Sequence, residues 1–97
     1  MTRQEVLDKL AAHEADLHAK GVRSLDLFGS VARGEASGHS DVDLLVEFDR
    51  PIGLFEFFEV QRYIEDLLGT DKIDLVLRRS VFEEIQDGIY AEAVSCF

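Results

Sequence analysis

Cysteine and positive charge are both scarce in this chain of 97 residues. The single cysteine, Cys96, cannot form an internal disulfide, so we expect a protein of the reducing cytoplasm. Lysine and arginine total 10 against 20 aspartates and glutamates, which gives a formal net charge of −10. Because a nucleic-acid-binding domain needs a basic surface to neutralise phosphates, this balance argues against direct nucleic-acid binding.

The chain also lacks a long apolar segment. No uncharged apolar run approaches the roughly 20 residues that a membrane-spanning helix needs, and residues 1–6 lack the apolar stretch of a signal peptide. Hydrophobic residues at 46% and charged residues at 31% are typical of a folded globular protein. We therefore expect one acidic, cytoplasmic domain over residues 1–97, with no membrane contact.

Hydrophobic periodicity predicts six elements in the order helix, strand, strand, helix, strand, helix. Thr2 and Glu5 have the spacing of a capping box, and they begin a helix that ends at Gly21. Ser80 has the position of an N-cap for the last helix, which runs through Ile85. The elements between these two helices are predicted at Val22–Phe28, Asp41–Phe48, Leu54–Leu68 and Lys72–Arg78.

Acidic residues alternate with apolar ones in two of the predicted strands. In residues 41–48 and 72–78, one set of alternate positions is apolar and the other set contains Asp41, Asp43 and Asp74. Period-two alternation buries one face of a strand and leaves the other face open. The sequence therefore predicts an α+β fold, a small mixed sheet with helices packed on one face and the carboxylates on the other.

Gly29-Ser30, followed after ten residues by Asp41-Val42-Asp43, is the pattern that indicates chemistry. Glycine at a strand end lets the backbone approach a ligand closely, and a helix beginning there would point its positive end at a phosphate. Asp41 and Asp43 project from one face of a strand and repel each other unless a cation lies between them. Magnesium ions bind such carboxylates together with substrate phosphates, and Asp74 lies on the same open face.

This pattern resembles the signature of the minimal nucleotidyltransferase (MNT) domain of the DNA polymerase β-like nucleotidyltransferase superfamily. The matching segment reads Gly29-Ser-Val-Ala-Arg-Gly-Glu-Ala-Ser-Gly-His-Ser-Asp41-Val-Asp43-Leu-Leu-Val, and Asp74 supplies the third acidic residue of the signature. Arg33 and Ser40 match the small-domain subgroup in particular. By motif the resemblance covers residues 22–78, and it implies a sheet of the nucleotidyltransferase palm type.

The resemblance implies transfer of a nucleoside monophosphate from a nucleotide to a hydroxyl group. Asp41, Asp43 and Asp74 would be the catalytic carboxylates and hold Mg²⁺, as a two-ion site, while Gly29, Ser30 and Arg33 would bind the nucleotide. Stand-alone domains of this kind are similar to MntA-like antitoxins of type VII-like HEPN/MNT toxin–antitoxin pairs. The family expectation is transfer of AMP from ATP to a tyrosine of a HEPN ribonuclease, which neutralises that toxin.

Other interpretations stay open at this point. The enzyme could act on a small molecule such as an aminoglycoside, or the protein could be an inactive antitoxin that masks its partner by binding. In isolation, the aspartates could be solvated surface residues and Gly29-Ser30 an ordinary turn. Arg33 could contact a phosphate or pair with Glu35.

The remaining candidate residues carry weaker signals. His39 lies near the motif, whereas His13 and His18 are predicted to face solvent on the first helix. Cys96 is predicted to be inert packing or part of a frayed end. The helix at 54–68 has four aromatic residues that are predicted to pack in the core, namely Phe55, Phe57, Phe58 and Tyr63. Phe57 and Phe58 are adjacent, so they cannot both lie on the buried side of the helix. The exposed one of the two would suit a partner interface.

Overall fold

The computed structural model describes residues 2–34, 41–78 and 93–97, and it shows helices packed on a four-stranded sheet. The elements in chain order are α1 (Arg3–Ala12), α2 (Glu14–Ala19), β1 (Val22–Phe28), α3 (Gly29–Ala32), β2 (Val42–Phe48), α4 (Leu54–Leu68), β3 (Ile73–Leu77) and β4 (Val94–Ser95).

The strands of the sheet lie in the order β3-β2-β1-β4. β1 is antiparallel to both β2 and β4, whereas β2 and β3 are parallel. A parallel pair needs a long crossover connection, and α4 supplies it between β2 and β3. The predicted α+β class with a small mixed sheet is confirmed.

The core lies on the face of the sheet opposite the predicted carboxylates. Alternate residues of β2 are buried there, together with apolar side chains from all four helices. Asp43 and Asp74 occupy the intervening positions, and they are half-buried and exposed respectively. The core side chains from the helices and the three longer strands include Val6, Leu10, Leu17, Leu25, Leu27, Leu44, Val46, Val60, Ile64, Leu68, Ile73 and Leu75.

The first predicted helix is interrupted at His13. It begins as expected, because the Thr2 hydroxyl accepts the Glu5 N–H at 3.2 Å. At His13 the backbone N–H donates to the Leu10 carbonyl at 3.1 Å rather than to Lys9, and the ring Nδ1–H donates to the Lys9 carbonyl at 2.9 Å. This side-chain bond replaces a helical backbone bond, so α1 ends and α2 begins.

The crossover helix α4 has the predicted limits. The Gly53 N–H donates to the Glu56 carboxylate at 3.5 Å at its start. Gly69 ends it in the left-handed region, with φ of 71°, where the Gly69 N–H donates to the Glu65 carbonyl at 2.8 Å.

A short strand at the end of the chain was not predicted. Val94 and Ser95 form β4, which pairs with Leu27 and Asp26 of β1. Two residues are too few for a readable period-two pattern, and the pairing depends on the edge that β1 exposes. The predicted helix at Ser80 to Ile85 lies outside the described residues.

Leu45 differs from its predicted position on an open face. It lies on the carboxylate side of β2 but is fully buried and stands apart from the main core cluster. Its neighbour in register on β1 is Asp26, and Asp26 forms an ion pair with Arg78, which follows β3 on the other side of β2. The Arg78 side chain therefore reaches across the central strand beside Leu45.

Three further expectations have mixed outcomes. His18 is exposed as predicted, but His13 is half-buried, with its ring centroid 6.5 Å from that of Tyr63. Cys96 is buried, which agrees with the prediction that it is packed and not with a frayed end. Burial raises the pKa of its thiol to about 12. Phe55 was predicted to lie in the core, but it is exposed because it lies on the side of α4 opposite the buried Ile64.

No helix within the described ranges is both long and apolar enough to cross a membrane.

Candidate active site

Asp43 and Asp74 are direct neighbours across the parallel strands. They are Cα partners in the β2–β3 register, and Phe28 is the partner of Asp43 on β1. Adjacent strands lie about 4.8 Å apart, so side chains at partner positions on one face are in close proximity. Residues 31 positions apart in sequence therefore place two carboxylates side by side.

Asp41 lies just before β2 and completes the acidic group. The pKa of Asp43 is raised above its usual value, chiefly because burial disfavours the charged carboxylate and also because Asp74 and Asp41 repel it. Arg33 acts in the opposite direction and lowers the pKa of Asp43. Three predicted site residues thus affect the pKa of the fourth, Asp43: they are Asp74, Asp41 and Arg33.

Gly29 lies against the Asp43 carboxyl group. A Cβ atom at residue 29 would be 3.0 Å from Cγ of Asp43 and would overlap its Oδ2. The φ angle of Gly29 is +76°, a conformation that other residues rarely adopt. Both the backbone and the neighbouring carboxylate therefore require glycine here.

The helix α3 follows directly and was not predicted as an element. Phe28 is its N-cap in an extended conformation, and Ser30 is half-buried in its first turn. The first N–H groups of any helix have no partner within that helix, so this turn offers donors beside Asp43. Arg3 of α1 donates from Nη1 to the Ala32 carbonyl at 3.3 Å and holds the other end of α3.

Arg33 is exposed at the end of α3, where its backbone N–H donates to the Gly29 carbonyl at 3.1 Å. Its charge lowers the pKa of Asp43, so the guanidinium lies within electrostatic range of the acidic group. The alternative partner Glu35 lies outside the described residues, as do His39 and Ser40.

The donor set fits Mg²⁺. Carboxylate oxygens are the ligands that this ion prefers, and a cation would relieve the repulsion that raises the pKa of Asp43. Within residues 2–34, 41–78 and 93–97, however, no three acidic, histidine or cysteine side chains are arranged as a complete metal site. These observations agree, because Mg²⁺ commonly takes only one or two protein carboxylates and completes its coordination with substrate phosphates.

The ion pair between Asp26 and Arg78 is a feature of this face that sequence reasoning missed. Asp26 is the register partner of Leu45, two residues along β2 from Asp43. Alternation alone places Asp26 and Arg78 on the carboxylate face, but their contact spans β2 and depends on the strand order.

The chain matches the nucleotidyltransferase domain family over residues 4–96. This protein belongs to that family. It is 40% identical to protein adenylyltransferase MntA of Thermococcus cleftensis over 95 residues, which cover 97% of this chain and 95% of the relative.

Solved structures show the same fold for this nucleotidyltransferase. One protein assigned as a minimal nucleotidyltransferase superposes with a TM-score of 0.83 at 31% identity, covering 97% of this chain and 95% of that one. An MNT antitoxin in complex with the tri-AMPylated HEPN toxin of Shewanella oneidensis gives a TM-score of 0.65 at 17% identity, covering 99% and 72% of the two chains. The second likeness concerns the fold alone.

Proposed function

We propose that this nucleotidyltransferase is an antitoxin that transfers AMP from ATP to a tyrosine hydroxyl of a HEPN ribonuclease toxin and thereby neutralises it. The observation that carries the proposal is the group around Asp43, in which Asp74 lies in register, Asp41 raises its pKa and Gly29 packs against its carboxylate. The identity to a protein adenylyltransferase supports a protein as the acceptor.

In this proposal, Asp41, Asp43 and Asp74 would hold Mg²⁺ as a two-ion site, in which each ion would take one or two of these carboxylates. Gly29, Ser30 and Arg33 would bind the triphosphate. Bound Mg²⁺ supplies positive charge that stabilises the attacking and leaving oxygens. The N–H groups of the first turn of α3 would donate to phosphate oxygens, and the absence of a side chain at Gly29 leaves room for the Asp43 carboxylate beside this turn. Arg33 pairs with a phosphate through its planar guanidinium.

The proposed transfer exchanges a phosphoanhydride bond of ATP for a phosphoester bond to the acceptor. The tyrosine oxygen forms a bond to the α-phosphorus of ATP, the bond from that phosphorus to the bridging oxygen breaks, and pyrophosphate leaves. The carboxylate of Asp74, exposed beside Asp43, accepts the proton of the hydroxyl group. Asp41 and Asp43 would hold Mg²⁺, whose positive charge would let the phosphates lie beside these carboxylates.

The charge of the chain supports a basic partner. A net charge of −10 attracts a protein whose surface binds RNA, and complementary potentials accelerate association. The likeness to an MNT antitoxin bound to a HEPN toxin adds a fold-level precedent for such an assembly. The proposed pair acts in the cytoplasm, where ATP is available.

Intact mass spectrometry of a HEPN-domain protein from the same organism tests the proposal. After incubation with this nucleotidyltransferase, ATP and Mg²⁺, we expect the HEPN protein to gain the mass of one or more AMP units. The Asp41→Ala/Asp43→Ala double variant should produce no gain, and EDTA should abolish the gain with the wild type.

Two results would each contradict a part of the proposal. A stable complex without any mass gain would favour an antitoxin that only masks its partner. An undiminished gain with the double variant would show that the carboxylates are not the catalytic groups.

A further inference from the structure

Three exposed apolar side chains lie together on the first turns of α4. Leu54 is 66% exposed, Phe55 is 85% exposed and Phe58 is 52% exposed. Residues three and four apart are neighbours on a helix surface, so Phe58 adjoins both Phe55 and Leu54. We call this group the α4 patch.

The α4 patch is large for an exposed apolar surface. Its three side chains present roughly 400 Å², since side chains of this kind bury about 150–250 Å² each when fully covered. Apolar patches of about 300–600 Å² are the largest found on a typical monomer and are often functional. Aromatic side chains are also the commonest anchors of binding interfaces.

Aromatic packing beneath the α4 patch holds Phe58 in place. The Phe58 ring meets the half-buried Phe57 ring edge-on at 5.9 Å, and Phe57 packs on Phe48 at the end of β2, with 6.5 Å between centroids. A side chain that is already ordered loses less conformational entropy when a partner covers it. This arrangement therefore favours binding.

The position of the α4 patch indicates the size of its occupant. β2 begins beside the acidic group and ends at Phe48, beneath the patch. Asp43 and Phe48 are five positions apart, which corresponds to about 17 Å of extended strand, and the acidic group lies on the face of the sheet opposite α4. A molecule that contacts both the patch and the acidic group must therefore reach around the sheet, which requires a macromolecule.

The charge around the α4 patch favours a different protein over a second copy of this chain. A stable interface buries about 800 Å² on each partner, roughly twice the area of the patch, so the occupant must also cover the residues around it. The exposed Glu56 and Glu59 lie beside Phe55 and would repel the same residues of a second copy. A protein with an apolar pocket edged by lysine or arginine complements these features.

We propose that the α4 patch is the docking surface for the protein acceptor, an inference that rests on the proposed function. Docking occurs far from the chemistry, so the patch raises the local concentration of the acceptor hydroxyl near the acidic group without touching the reacting atoms. The patch thus controls the KM for the acceptor and leaves kcat unchanged.

The test uses Phe55→Ala, because a side chain so exposed adds little to folding. Asp66→Ala is the matched control, since Asp66 is exposed on the same helix 11 residues further along, about 16 Å away on the same side. The probe is the HEPN-domain protein used for mass spectrometry. Its binding to each variant is measured by calorimetry, and AMP transfer is measured over a range of probe concentrations.

We expect Phe55→Ala to weaken binding and to raise the KM for the probe about 30-fold, the loss typical of a central interface residue, with kcat unchanged. Asp66→Ala should match the wild type. Equal binding and transfer by Phe55→Ala and the wild type would overturn the docking proposal alone. Wild-type self-association that Phe55→Ala abolishes would overturn it in favour of a second copy. Absence of transfer by the wild type, with binding that Phe55→Ala still weakens, would overturn the proposed transfer but preserve the docking surface.

Discussion

Gly29 packs directly against the carboxylate of Asp43, so that the end of β1 and the beginning of β2 form one surface. This contact explains why a glycine and an aspartate 14 residues apart belong to one motif. Glycine has two roles at this position: it adopts a backbone conformation with positive φ, and it lets the Asp43 carboxylate approach closely. The two roles can be tested independently.

Substitution of Gly29 by alanine should abolish most of the transfer activity. The added Cβ must displace the Asp43 carboxylate, and a displacement of about 1 Å at a reacting group can cost about 100-fold in rate. Gly69→Ala is the control, because Gly69 has a similar φ of +71° but no neighbour within 4 Å of an added Cβ. Both variants should lose about 1–2 kcal/mol of stability from the backbone. If the two variants retain equal activity, the contact between Gly29 and Asp43 has no catalytic role.

Asp43→Asn should lower the transfer activity without lowering the stability of the fold. The amide cannot supply the charge that a cation and phosphates need, so we expect transfer to fall by about 100-fold or more. In a buffer without divalent cations the variant should be at least as stable as the wild type, because it removes repulsion from Asp41 and Asp74 and the burial of a charge. Thermal unfolding with and without Mg²⁺ checks this, and a marked loss of stability would contradict it.

The contributions of Asp26 and Arg78 to stability should depend on each other. The two side chains are only 15% and 28% exposed, so removal of Arg78 leaves a largely buried carboxylate without this cation. A double-mutant cycle with Asp26→Asn and Arg78→Met should give a coupling of about 1–3 kcal/mol in denaturant unfolding. If the losses of stability from the two single substitutions simply add in the double variant, the ion pair contributes nothing to the free energy of unfolding.

His18 should make stability depend on pH. Its Nδ1 lies 2.8 Å from the Val22 carbonyl and its Nε2 lies 3.0 Å from the Glu14 carboxylate, so only the protonated ring can donate to both. These hydrogen bonds, that to Val22 first, raise the pKa of His18 above its usual 6.5. The stabilisation is therefore complete below the pKa of the unfolded chain and is lost as pH rises through the folded-state pKa.

His18→Gln should accordingly lower the melting temperature more at about pH 5.5 than at about pH 8.5. Glu14→Gln should show the same trend more weakly, because it retains the bond to Val22. An equal loss at both pH values would indicate that only packing is affected, through the contact of the His18 ring with Phe97 at 5.2 Å.

Much of the candidate site could be predicted from the sequence, because its signals are local. Alternation along residues 41–48 and 72–78 predicted the faces of Asp43 and Asp74, and the strong amphipathic pattern at 54–68 predicted α4 to the residue. The prediction failed for Phe55, because it followed the apolar residue type and not the helical position. Phe55 lies on the side of α4 opposite the buried Ile64, so the period of the helix places it in solvent.

Residue type and spacing are enough to indicate the type of chemistry, since they define Gly29-Ser30 and the aspartates as a motif. How these residues meet depends on the packing of the folded chain. The parallel pairing of β2 and β3 placed Asp74 beside Asp43, the strand order let Arg78 reach Asp26, and side-chain bonding at His13 divided the first helix. These relationships join residues that are distant along the chain or compete with local backbone bonds, and they follow from packing energies that no local pattern records.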